Sequence, residues 1–293
     1  MTRGAQGFGA PLAAGQSSFQ ARPFRRIGTS AVPPRATTAA GIGGAIRGHG
    51  ADILVFGDLA WGIPFPYVDL TRLAAFAGPG YVRGRQGDRQ MTDLPQLYLV
   101  TPPEIDAAFP DRLARVLDTH EIACLRLDLA TRDEDRLIRA CDACREIAHR
   151  VDVPLVITDH PGLVERLGLD GVHLTNPRTI RKLRADWGDD PIIGAFCGAS
   201  RHDGMVAGET GADYVAFGPA GATDLGAGER ADAELFRWWS EMIEVPVVAE
   251  GALDAGVIAD LAQACDFLAI GEEIWSANDP SAHLATLTEA LRG

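Results

Sequence analysis

From Leu94 onward the chain alternates, at near-constant spacing, between short apolar runs and helical patterns. The runs are QLYLVT (96–101), IACLRLD (122–128), PLVITD (154–159), GVHLT (171–175), IIGAFC (192–197), YVAFG (214–218), VPVVAE (245–250) and FLAIG (267–271). Helical patterns such as 133–150 and 233–243 lie between them, and 280–292 closes the chain. Pro or Gly often marks the junctions, as in Val153-Pro154 and Val245-Pro246. Apolar runs this short, bounded by turn residues and separated by helices, are the pattern of parallel strands buried on both faces. Eight such units predict an α/β fold, a single (β/α)8 TIM barrel over 91–293. A doubly wound sheet is the competing arrangement. It gives no reason for near-equal units, and no G-x-G-x-x-G follows the first run.

Residues 1–90 have another composition. They hold ten Arg and four Asp with no Lys or Glu, a net +6, against 17 basic and 36 acidic side chains in 91–293, a net -19. Residues 1–50 are Gly, Ala, Pro, Ser and Arg without a period, which cannot build a core and predicts a disordered extension. Residues 51–82 are more apolar but broken by Gly and Pro. The Arg-rich, acid-poor composition also suits a transit peptide. A start set too early, with Met91 as the true first residue, accounts for the whole stretch. Removing 1–90 is then expected to leave the melting temperature of the barrel unchanged.

The acidic barrel argues against nucleic acid, whose phosphates need a basic surface. No apolar run approaches the ~20 residues of a membrane span, and the N-terminus lacks a secretory h-region. The expectation is a cytoplasmic protein whose partner is a small molecule at the barrel mouth. Oligomeric state is not legible. The five cysteines are too few for a disulfide framework, and Cys141-Asp-Ala-Cys144 reads as two ordinary helix-face residues.

In such barrels chemistry sits at the C-terminal ends of the strands. There the stretch LVITDHPGLVERLGLDGVHLT (155–175) places Asp159 and His173. Asp128, Asp159, His160, His173, Glu250 and Glu272 make an acidic, imidazole-containing mouth, suited to a cation, an amine or a polyol rather than a phosphate. Clustered carboxylates also suit general acid–base work. Each has a plainer use. Asp159 is placed to cap a helix beginning near His160, and His173 is placed to be a hydrogen-bonded interior histidine. Arg126 and Asp128, at i and i+2 on one strand face, are placed to pair with each other. Glu250, Glu272 and Glu273 are placed to be a solvated rim, and His202 to lie on the surface.

The order and wording of these segments resemble the thiamine phosphate synthase / TenI family of TIM barrels over 94–291. QLYLVT, PLVITD…GLDGVHLT, GADYVAFGP (211–219), VPVVAEGAL (245–253) and FLAIGEEIW carry the resemblance. It implies a barrel of thiamine biosynthesis. The synthase joins an aminopyrimidine pyrophosphate to a thiazole phosphate and expels pyrophosphate, a reaction that needs cations around the leaving group. The TenI branch instead tautomerises a thiazole by proton shuttling. With the mouth residues read above, the expected catalytic positions are Arg126, Asp128 and His173, and the expected substrate-binding positions are Thr158, Thr223, Glu250, Gly251 and Glu272, of which Asp128, Glu250 and Glu272 depart from the family pattern. Asp159 becomes a ligand of Mg²⁺, the only one kept of two expected aspartates, since the second falls on Arg178. The family's Gln-x-Arg-x-Lys is here Cys124-Leu-Arg126-Leu-Asp128, the serine of strand five falls on Phe196, and the lysine after strand six on Gly226. The sole lysine of the chain is Lys182. The pyrophosphate site is thus expected to be degenerate. A divergent acid–base enzyme on a non-phosphorylated substrate, or a non-catalytic ligand-binding barrel, stands beside the synthase reading.

Overall fold

The structure is a computed structural model, described here over residues 94–223 and 229–292. The expectations for residues 1–90, for Met91 and for Gly226 lie outside the described residues. The predicted architecture is present: parallel strands close in sequence order from β1 to β8, and β8 pairs back onto β1. They are β1 Gln96–Val100, β2 Ile122–Leu127, β3 Leu155–Thr158, β4 Gly171–Leu174, β5 Ile192–Phe196, β6 Tyr214–Phe217, β7 Val247–Glu250 and β8 Phe267–Ile270. Each apolar run named above contains one strand. The helices are α1 Phe109–Thr119, α2 Glu134–Arg150, α3 Pro161–Leu167, α4 Ile180–Trp187, α5 Arg201–Glu209, α6 Ala233–Met242, α7 Ala255–Leu261, the short α8 Glu272–Trp275, and α9 Pro280–Glu289.

Alternation along the strands divides the buried residues into two cores. Leu99, Leu125, Leu127, Ile157, Val172, Val215 and Leu268 face the helices. Tyr98, Cys124, Val156, Tyr214, Ala216, Val248, Phe267 and Ala269 fill the barrel interior. Helix starts follow from short polar side chains that accept the orphan first-turn amides. Asp133, Ser200, Asp232 and Asp254 each accept from the residue three along. Asp279 caps α9 by accepting from the amides of Ser281 and Ala282. On α2, Leu137, Cys141, Cys144 and Ala148 form the buried face. Burial pushes the Cys141 thiol up to about 11 and Cys144 up to about 12. Both stay protonated and behave as helix-face residues.

A repeated device closes the N-terminal end. The residue before each of β4, β6 and β8 is an aspartate whose carboxylate accepts an amide at the start of the preceding strand, the first of β3 and β7 and the second of β5. Asp170 holds Leu155 N at 2.7 Å, Asp213 holds Ile193 N at 2.7 Å, and Asp266 holds Val247 N at 2.8 Å. These carboxylates set strand register at the end of the barrel opposite the mouth, where residues serve stability.

Candidate functional site

Inward residues near the C-terminal strand ends form one polar chain across the interior. Arg126 of β2 is 5% exposed. Its Nη1 donates to Glu250 Oε2 of β7 at 2.7 Å and lies 2.9 Å from His173 Nε2 of β4. Its Nη2 donates to Asp128 Oδ2 at 3.3 Å. His173 Nδ1 lies 2.9 Å from the Tyr214 hydroxyl of β6, which lies 2.7 Å from the Tyr98 hydroxyl of β1. A guanidinium only donates. His173 Nε2 therefore accepts, its proton sits on Nδ1, and Nδ1–H donates to Tyr214. Burial, and then the charge of Arg126, hold His173 well below its usual pKa, so the ring is neutral. Burial raises both tyrosines well above their usual range, keeping them as phenols. For Arg126, burial opposes the charge, but Glu250 and Asp128 outweigh it and raise its pKa.

Small residues make room for this chain. A Cβ on Gly194 of β5, the register partner of both His173 and Tyr214, would lie 1.9 Å from the Tyr214 ring. The tyrosine ring occupies the volume that a side chain on β5 would take. Thr101, 3% exposed, accepts the Asp128 amide through Oγ1 and fixes the backbone at the end of β2.

The structure gathers Arg126, Asp128, His173 and Glu250 into one cluster. Thr158 stands beside His173 in register. Two buried polar atoms, Arg126 Nε and Thr158 Oγ1, have no hydrogen-bond partner among the described residues. Glu250 is part-buried, with 17% side-chain exposure. Thr223 lies exposed on the loop after β6. Gly251 follows Glu250 at φ +86°, a turn that suits glycine, and Ala252 follows at +54°. Glu272 is exposed in the first turn of α8. His160 is itself the N-cap position of α3 and its Nδ1 meets Thr158 O at 2.7 Å. His202 is exposed on α5, as expected.

Asp159 is neither helix cap nor free ligand. It holds a left-handed backbone at φ +55°. Its Oδ1 accepts the Thr175 amide at 2.9 Å and its Oδ2 accepts the Thr175 hydroxyl. The carboxylate ties the β3 loop to the β4 loop. Among the described residues no three His, Cys, Asp or Glu gather in a way that could hold a metal ion. Arg178, where a second aspartate was expected, is exposed beside its Asn176 cap. These residues do not fit a Mg²⁺ held between two aspartates, and the ion enters no step below.

The loops after β7 and β8 are joined by a residue given only a rim role in the sequence. Glu273, one position beyond the expected Glu272, accepts the Gly271 amide through Oε2 at 2.8 Å and the Leu253 amide through Oε1 at 3.1 Å.

Comparison with known proteins decides the family. The model of the family described as thiamine monophosphate synthase matches residues 97–274. The chain belongs to that family. It is 41% identical over 210 residues to a thiamine-phosphate synthase of Rhodospirillum centenum, covering 69% of this chain and 100% of the relative. To that of Erythrobacter litoralis it is 36% identical over 199 residues, covering 65% and 93%. The solved thiamine phosphate pyrophosphorylase of Pyrococcus furiosus superposes at TM-score 0.58 over 69% of this chain and 99% of that one. At 20% identity that likeness concerns the fold alone. Within the thiamine monophosphate synthase family this chain links to thiamine biosynthesis through a barrel whose mouth is rich in carboxylates. Lys182 lies exposed on α4, outside the interior.

Tyr98 and Tyr214 escaped the sequence reading because interior tyrosines look like ordinary strand residues. Their signal was phase: both share the inward parity of Arg126 and His173.

Proposed function

We propose that this barrel serves thiamine biosynthesis by binding an unphosphorylated heteroaromatic ligand and moving a proton on it, without expelling pyrophosphate. The carrying observation is the ion pairing of Arg126. Its two terminal nitrogens are engaged by Glu250, Asp128 and His173, and its charge is more than balanced by two carboxylates. A pyrophosphate arriving there meets net negative charge. One unit charge about 4 Å from another is worth ~4 kcal/mol at an effective dielectric near 20.

Arg126 Nε–H and the Thr158 hydroxyl, both buried beside the cluster, have no hydrogen-bond partner among the described residues. A neutral ligand brings no negative charge to the two carboxylates that hold Arg126. Glu250 is the acid–base group, because it is part-exposed and oriented through one oxygen by Arg126. The neutral His173 and the two phenols do not exchange protons near neutrality. They orient the guanidinium and, through it, Glu250. The protein works in the cytoplasm as a partner of small molecules, neither nucleic acid nor membrane. Among the described residues no helix is long and apolar enough to cross a membrane.

The test is turnover. Purified protein mixed with the aminopyrimidine pyrophosphate and the thiazole phosphate, with Mg²⁺, is expected to release no pyrophosphate above background. The unphosphorylated thiazole is expected to exchange a ring-adjacent proton for deuterium, and Glu250→Gln to abolish that exchange. Stoichiometric formation of thiamine phosphate would overturn the reading.

A further inference from the structure

Glu273 belongs to a helix of only four residues, yet its carboxylate is not a simple helix cap. One of its two donors, Gly271 N, is the residue before the helix; the other, Leu253 N, comes from the separate loop after β7. Leu253 directly follows Gly251 and Ala252, both at positive φ. The backbone is bent there so that an amide of the β7 loop converges with an amide of the β8 loop on one pair of oxygens. In (β/α)8 barrels, the loops after strands seven and eight and the start of a short extra helix form the usual phosphate-binding corner. All three parts are present here, and an anion is already bound to their amides. It is a side chain of the chain itself.

We infer that Glu273 is an internal substitute for a ligand phosphate and sets specificity against phosphorylated ligands. This rests on the reading above, in which the ligand is unphosphorylated, and supplies a cause for it in the loops after β7 and β8. A carboxylate satisfies the two amides with charge-assisted hydrogen bonds. An incoming phosphate finds those donors taken and a like charge beside it. Glu272, exposed one residue earlier, adds a second negative charge but holds neither amide through its side chain.

The experiment titrates inorganic phosphate into wild type, Glu273→Ala, Glu273→Gln and Glu272→Gln by calorimetry at low salt. Glu273→Ala frees both amides and is expected to bind phosphate at least about tenfold more tightly than wild type, with the gain shrinking as salt rises. Glu273→Gln removes the charge but keeps an acceptor, and is expected to show a smaller gain in the same direction. It also covers the case in which the alanine variant fails to fold. Glu272→Gln is expected to change phosphate affinity little. Wild type that already binds phosphate as tightly as the variants would overturn the inference. So would Glu273 variants that lose stability and gain no phosphate affinity, since Glu273 would then only fasten two loops. Pyrophosphate release by wild type would overturn the functional reading instead, and leave the phosphate titration to judge Glu273 by itself.

Discussion

Arg126 of β2 and Glu250 of β7 meet at 2.7 Å across the barrel interior, joining strands that are not neighbours in the sheet. Removing one member of a buried pair costs more than the pair contributes, because the remaining charge is left unpaired. Glu250→Ala is therefore expected to destabilise the barrel by about 3 kcal/mol, the low end of the range for such pairs, since Glu250 keeps some solvent contact. Urea unfolding of the two proteins checks this. Glu250→Gln, which still accepts a hydrogen bond, is expected to lose less.

His173 gives the fold a pH signature. Its pKa in the folded barrel lies below the unfolded value near 6.5, through burial first and Arg126 second. The unfolded chain takes up that proton before the folded one does. The stability contributed by the neutral ring is whole above about pH 6.5 and is lost as pH falls below it, by up to about 1.4 kcal/mol per pH unit. Melting temperatures between pH 7.5 and 5 are expected to fall more steeply for wild type than for His173→Gln. Parallel curves would mean that His173 takes up its proton as readily in the folded barrel as in the unfolded chain.

Asp266, 6% exposed, holds the Val247 amide at the end of the barrel away from the site. Asp266→Ala leaves that amide without its acceptor and is expected to cost about 1–3 kcal/mol. Unfolding free energy should drop while affinity for the unphosphorylated thiazole stays within twofold, about 0.4 kcal/mol. A parallel loss of affinity would show that strand register at the base is transmitted to the mouth.

The barrel was legible because its signal is periodic and redundant. Every apolar run from QLYLVT to FLAIG contains a strand, and a shift of one or two residues at an end leaves the alternation intact. Site residues within strands were legible for the same reason: the phase of β2 and β4 places Arg126 and His173 inward together. Loop residues were not. Whether Glu272 or Glu273 turns toward the β7 loop depends on where β8 ends and α8 begins, which differs by one residue and carries no periodic signal. Asp159 shows the same limit. Its position after β3 suggested a metal ligand or a helix cap, while its engagement by Thr175 depends on the path of the next loop. The aspartates at 170, 213 and 266 were visible as residues but their shared role needs the neighbouring strand.

The central claim of the proposed function is that Arg126 is committed to the protein's own carboxylates and is not available to pyrophosphate. Calorimetric titration of pyrophosphate into wild type at neutral pH and low salt, with and without Mg²⁺, tests this most directly. The expected result is no binding tighter than about millimolar, where the free energy is roughly -4 kcal/mol. Binding at micromolar level would contradict the account, because the ion pairs of Arg126 would then have to open for a phosphate that this arrangement repels.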